Sequence, residues 1–457
     1  MSSVLLLVLL IALLVASYLL FGRRLDSPAF VFVLFFALAV GNGLANYEPF
    51  AFDLHPNTVA LVGGGAALFV AVAFCVQAVW NKLMGGREAS EAEDDLLVRE
   101  PLHVPVALYV LGFALALGTT WLLAMSFTRI SVEHGGPSDL LGVMKTYDRL
   151  AKFSDVDVSI RGPVGMLVVI CDATYYLWAY VVAQNLNAKR RIVNVPAMLI
   201  MVIIMFYTLF SGERNGLIMR FLAFAFLYLN FLYRRYRTNK KNPTARICAV
   251  IAIAVAVGLL AFRPMLSLVG RSFDERRSLS DYVSTYLGAP IKNLDMYLND
   301  ELPAPITSTP TRWGDQTLAM AYASLDHWAG HDAQKKWDEW QPFQTINGRK
   351  LGNVYTIYYT FVFDWGYVGG FVATAVLAAL CELCFLFSNT QRILWNGSVK
   401  TSMLIYSILG YGLCFCFFLN FVVKVVVNSG FPRMVAVWLV SSSGLAFLNG
   451  RTEKRAS

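Results

Sequence analysis

The sequence predicts an all-α polytopic membrane protein, and three observations carry that prediction. Hydrophobic residues fill 57% of the 457 positions and charged residues only 15%, where an average soluble domain has about 25% charged residues. Apolar runs of about 20 residues, the length a helix needs to cross a bilayer, recur along most of the chain. Lys and Arg gather in alternate gaps between those runs, the mark of a chain that crosses a membrane repeatedly.

The runs lie at about 3–21, 28–46, 58–80, 105–127, 164–186, 195–211, 216–233, 245–263, 366–388, 401–422 and 431–449, about eleven spans. The first has no positive residue before it and Arg23-Arg24 behind it, so it reads as a retained anchor with its start outside, not as a signal peptide. Basic residues then follow the odd spans: Lys82, Arg87 and Arg99 after the third, Lys189-Arg190-Arg191 after the fifth, and Arg234-Arg235 with Arg237, Lys240 and Lys241 after the seventh. Arg392 and Lys400 follow the ninth, and Arg451, Lys454 and Arg455 close the chain. Cytoplasmic loops retain such residues, so the amino end is expected outside and the carboxyl end inside. The net charge of +8 is then a topology signal, and no basic run sits in a soluble module that would suit nucleic acid.

Three parts follow: 1–263 with spans one to eight, 264–363 as a large extracytoplasmic loop, and 364–457 with spans nine to eleven and a cytoplasmic end. The acidic stretch EASEAEDD at 88–95 reads as a solvated linker. No internal repeat of the kind that builds many transporters is visible. A second outer segment covers 128–163. The 264–363 loop exceeds an ordinary connection and is rich in Trp and Tyr, so it is expected to fold. Leu318, Tyr322, Leu325 and Ala329 recur at helical spacing, as do Ile291, Leu294 and Leu298 behind Pro290; both read as short amphipathic helices lying on the outer surface or capping a cavity. All seven cysteines fall inside predicted spans, which implies no disulfide framework, and Cys381 and Cys384 read as packing residues.

The chemistry centres on arginines held against that pattern. In LFSGERNGLIMRF (209–221), Arg214 falls at the outer end of spans six and seven. Arg263 ends span eight, and Arg271, Arg276 and Arg277 follow in GRSFDERRS, with Lys292 beyond. Cations at a hydrocarbon boundary are costly, and an anion offsets the cost. The planar guanidinium recognises phosphate through paired donors, so arginines from two places in the chain suit a diphosphate. The alternative is that they reach lipid head groups or pair with Asp274, Glu275 and Glu213. Asp172, inside span five, reads as a cavity residue or the partner of a polar neighbour. No metal is expected: Asp155-Val-Asp157 is a commonplace spacing, and His327 with His331 lacks a third ligand. No cofactor is implied.

The order of these features resembles the oligosaccharide repeat-unit polymerases, also called Wzy or O-antigen polymerases. The SGER-N-G turn, the Arg-rich GRSFDERRS, the stretch DYVSTYLGAPIKNLDMYL (281–298) and GNVYTIYYTFVFDWGYVGG (352–370) carry the resemblance, over roughly residues 200–375; the turn departs in having Glu213 where the family more often has a small residue. The resemblance implies a membrane-embedded, metal-independent glycosyltransferase of the C-type (GT-C) fold in a bacterial inner membrane. It implies undecaprenyl-diphosphate-linked oligosaccharides as donor and acceptor, membrane lipids around them, and a chain-length regulator as partner. In that chemistry Arg214, Arg263, Arg271, Arg276 and Arg277 bind the leaving diphosphate. Glu213, Asp281, His327 or Asp364 accepts the proton of the attacking hydroxyl. A flippase for the same lipid-linked sugars is the rival from another class, against which the long loop and missing repeat weigh; an O-antigen ligase shares the donor and is poorly separated by sequence.

Overall fold

The structure, a computed structural model, describes residues 1–83, 101–154, 158, 160, 162–208, 215–238, 243–245, 247–249, 279–329, 341–389 and 399–456. Its helices run in chain order α1 (Ser2–Leu20), α2 (Pro28–Ala45), α3 (Tyr47–Phe50), α4 (Pro56–Leu83), α5 (Val106–Glu133), α6 (Leu140–Phe153), α7 (Gly162–Asn187), α8 (Val195–Tyr207) and α9 (Asn215–Thr238). They continue as α10 (Leu279–Leu287), α11 (Ala289–Leu298), α12 (Ala319–Trp328), α13 (Thr356–Asn389), α14 (Thr401–Cys414), α15 (Phe421–Val426) and α16 (Gly430–Ala456). One antiparallel hairpin, β1 (Gln344–Ile346) with β2 (Arg349–Gly352), sits before α13.

Among the described residues seven helices are long and apolar enough to cross a membrane: α1, α2, α4, α5, α7, α9 from Gly216 to Arg237, and α13. The chain is a multi-pass membrane protein, with fewer such helices than the eleven spans expected. The 195–211 run gives only the 13 residues of α8, about 20 Å at 1.5 Å per residue. The 401–422 run stops at Cys414 and resumes as the six-residue α15. The 245–263 run lies outside the described residues, as does the acidic linker.

Two compact units divide the chain: 1–87 with 275–386 and 408–429, and 88–274 with 387–407 and 430–457. In the first, α1 packs on α2 and α4, and α2 carries α10 and α11. Here the break after α14 has a clear physical role. The Phe418 and Cys416 carbonyls accept the Thr356 and Ile357 amides at 3.2 and 2.8 Å, so an unwound stretch satisfies donors that the start of α13 cannot satisfy itself. Asn420 caps α15 through Val423 N–H and donates to Thr360 at 3.1 Å.

The loop 264–363 is not purely helical, and its boundary moves. It holds one short hairpin within an otherwise helical chain, and α13 begins at Thr356, ten residues ahead of the expected span, with a kink at Gly366 (φ +67°) that only glycine adopts without strain. Trp365 presses on the next turn, where a Cβ on Gly369 would lie 2.1 Å from its own. α12 forms at the expected place, yet Leu325 on its supposed core face is 59% exposed. α11 departs further: residues 289–296 are buried on every side, including Lys292, Asn293 and Asp295. It is a core helix, because its charges find partners within the fold.

In the second unit α7 packs against α5, α8, α9 and α16. Asp139 caps α6 by accepting the Gly142 amide, making the 128–163 segment a membrane-helix extension followed by an amphipathic helix. Arg234 and Lys400, read from sequence as loop charges, are buried; both donate to the Ser388 carbonyl, at 2.5 and 2.9 Å. Cations at a helix C-terminus satisfy its last carbonyls.

Candidate functional site

The densest polar arrangement in the first unit is built on Asp295. Local packing sets it up. Ser3 donates to the Phe52 carbonyl (2.8 Å) and accepts the Leu54 amide (3.0 Å), and the Phe52 ring fills the space beside Gly43, where a Cβ would come within 2.2 Å. That fixes the short segment before α4. Pro56 opens α4, suited to a position whose amide has no helical acceptor, and His55 precedes it.

Asp295 is fully buried and accepts four hydrogen bonds: from the His55 amide (2.9 Å), His55 Nδ1 (3.2 Å), the Thr58 hydroxyl (2.7 Å) and Lys292 Nζ (2.9 Å). Burial works to raise its pKa, but the hydrogen bonds from Thr58, Lys292 and the His55 backbone, with the Lys292 charge, prevail and hold the carboxyl below its ordinary range. Because a carboxylate only accepts, Nδ1 of His55 carries the proton in that contact. The His55 side chain is 38% exposed, and its Nε2 lies 3.5 Å from Glu301 Oε1.

Around this core, Asn57 donates to Asn299 (3.0 Å), the Leu298 carbonyl and the Tyr367 hydroxyl. Burial, then Asp300 and Asp364, push the Tyr297 phenol up to about 12, which ties Asp364 to the same neighbourhood. The Tyr297 ring lies 4.8 Å from Tyr359. Asp364 accepts the Gln316 and Thr317 amides at 3.0 and 2.7 Å, so its carboxylate holds the turn that leads into α12. Beside it, Trp313 is 71% exposed with its ring centroid 5.0 Å from Trp365. Gln316 Oε1 and Trp365 Nε1 are buried with no hydrogen-bond partner among the described residues.

The expected site residues fall unevenly on this geometry. Asp364 belongs to the cluster, where its carboxylate accepts two amides. Asp281 is separate from it, paired with Arg349 of β2 at 3.0 Å. His327 lies on α12, its side chain outside the described residues, as are Glu213, Arg214, Arg263, Arg271, Arg276 and Arg277. Asp155, Asp157 and His331 are outside them too. Among the described residues no group of three or more His, Cys, Asp or Glu is placed to hold a metal ion.

The sequence reading passed over His55 and Asp295 entirely. One signal was available: Lys292 and Asp295 are three apart on an otherwise apolar helix, the spacing of a facing pair.

The second unit has its own partly buried ion pair, Arg220 at 10% and Asp172 at 28% side-chain exposure. Asp172 accepts from Arg220 at 2.5 Å and from the Tyr207 hydroxyl, and the Arg220 guanidinium stands over the Tyr207 and Tyr175 rings at 5.6 and 6.0 Å. Arg220 also donates to the Gly216 carbonyl, so the helix that follows the SGERNG turn is fixed at its first turns. The partner expected for Asp172 is thus an arginine from the quoted stretch itself. A separate cavity of about 240 Å³ is lined by Leu108, Leu111, Leu115, Leu177 and Trp178 and is almost wholly apolar.

Compared with protein-family models, characterised proteins and solved structures, the chain matches none.

Proposed function

We propose that this chain is a membrane-embedded glycosyltransferase of the GT-C type. It joins oligosaccharide repeat units carried on undecaprenyl diphosphate into a long surface polysaccharide, on the face of the bacterial inner membrane away from the basic loops. The observation that carries the reading is the cluster at the entrance of α13. An exposed tryptophan tilted against a second, an unsatisfied donor and acceptor, and the Asp364 carboxylate meet there in the first turns of a membrane-spanning helix, beside its kink. Aromatic faces with adjacent polar groups suit sugar rings, and a site at a helix entrance suits a substrate whose other end is a lipid. The arginines of the turn and of GRSFDERRS supply the cations that the departing diphosphate requires.

The hydroxyl of one lipid-linked unit attacks the anomeric carbon of the other chain, and the lipid diphosphate leaves. The test is elongation by the purified protein given only lipid-linked repeat units, extracted from cells that lack it. A ladder of products supports polymerisation. Transfer only when a lipid A core acceptor is added makes it a ligase, and movement of units between leaflets without elongation makes it a flippase. Arg214→Ala and Arg271→Ala are expected to abolish the ladder with the protein still inserted and abundant; a normal ladder from both removes the leaving-group role.

A further inference from the structure

We propose that His55, oriented by Asp295, is the general base that takes the proton from the attacking hydroxyl; this rests on the glycosyl-transfer reading above. Three features of the geometry lead there. The imidazole is anchored twice to one carboxylate, through its backbone amide (2.9 Å) and through Nδ1 (3.2 Å), so both its place and its tautomer are set. The anchoring carboxylate is fully buried and held on its other side by Thr58 and Lys292, which keeps it from swinging away. The opposite ring nitrogen is at the exposed edge, and Nε2 and Glu301 Oε1 stand 3.5 Å apart. With Nδ1–H donated to Asp295, the neutral imidazole presents Nε2 as its acceptor, and a substrate hydroxyl donates there.

The charged groups facing the imidazole among the described residues are Asp295 and Glu301, with Lys292 behind Asp295. Asp295 is a positioning residue, since it reaches the reaction only through His55. As the acceptor oxygen forms its bond to the anomeric carbon, its proton passes to Nε2, and the bond from that carbon to the diphosphate oxygen breaks with the electron pair going to the leaving group. The imidazolium, flanked by two carboxylates, then returns its proton to water. Asn57, bonded to Asn299 and Tyr367, ties this edge to the start of α13 and its tryptophans.

The experiment uses the full chain in detergent micelles with lipid-linked repeat units extracted from cells lacking it. His55→Ala is expected to lower kcat by about 10²–10⁴-fold with KM little changed, and added imidazole to restore part of the loss while leaving the unaltered protein unaffected. Asp295→Asn is expected to lower kcat without imidazole rescue, because the ring is present but misaligned. Elongation by His55→Ala at an unchanged kcat, or a loss that added imidazole does not relieve, would overturn the base while leaving the polymerase reading intact. If the unaltered protein forms no polymer from these units, the polymerase reading fails and the base with it.

Discussion

Replacing Asp295 with Ala tests whether its network is the keystone of the first unit. The substitution removes one acceptor from four donors at once, and the donors are not equally affected. The His55 ring is partly exposed, so water can replace what it loses. The Thr58 hydroxyl is fully buried, and the Lys292 ammonium is only 6% exposed. Leaving one half of a buried ion pair costs about 3–5 kcal/mol, and an unsatisfied buried hydroxyl about 1–3 kcal/mol more. The expected loss is therefore about 4–8 kcal/mol, dominated by the stranded ammonium. Denaturant titration in micelles, followed by tryptophan fluorescence, measures it. Pairing Asp295→Ala with Lys292→Met should recover more than half of the loss, because the charge that made the site costly is gone. The pH dependence has a definite sign. A carboxyl held below its ordinary range contributes stability that is full above the unfolded value of about 3.9 and disappears as pH falls through the folded value. The window thus lies below about pH 4, and Asp295→Asn should flatten it. Equal stability of the unaltered protein, Asp295→Ala and the double variant would refute the reasoning.

The second unit offers a parallel case. Asp172→Asn or Arg220→Met alone should destabilise by about 3–5 kcal/mol while the two together cost much less, and a purely additive double variant, read from the same titration, would refute the coupling. Glu382, on the membrane-spanning α13, points the other way: it is fully buried and neither carboxyl oxygen has a hydrogen-bond partner among the described residues. Arg24 already holds Asp26 at 2.6 Å, so Glu382→Met strands nothing and should stabilise by about 1–3 kcal/mol; a lower unfolding midpoint would show that the carboxyl has a partner to keep.

Long apolar runs were legible from the sequence because length and hydropathy alone decide whether a helix can cross a bilayer. Hence α1, α2, α4, α5, α7 and α9 lie close to their expected places. The break at 415–420 was invisible, since FCFFL is as apolar as its flanks; what unwinds it is a need for acceptors at Thr356 and Ile357, some 60 residues earlier. α11 was legible as a helix and misjudged in burial. Periodicity put Ile291 and Leu294 on one face, and both are buried, but Lys292 was grouped with the outward cations and Asp295 was passed over; only the fold shows that the two pair. His55 was missed because its carboxylate lies 240 positions away, and a lone histidine carries no spacing to read. The arginines that dominated the sequence argument, by contrast, fall outside the described residues, so the site stands here on different side chains.

The unwound stretch at 415–419 constrains how the entrance to α13 can open. Two of its carbonyls accept the first two amides of that helix, so pulling either segment away alone would leave bare peptide groups in a dry interior. Any opening at this entrance must therefore shift both pieces as one rigid clasp. The bending has to occur elsewhere, and Gly366, already turned out of the helical range, is the natural pivot.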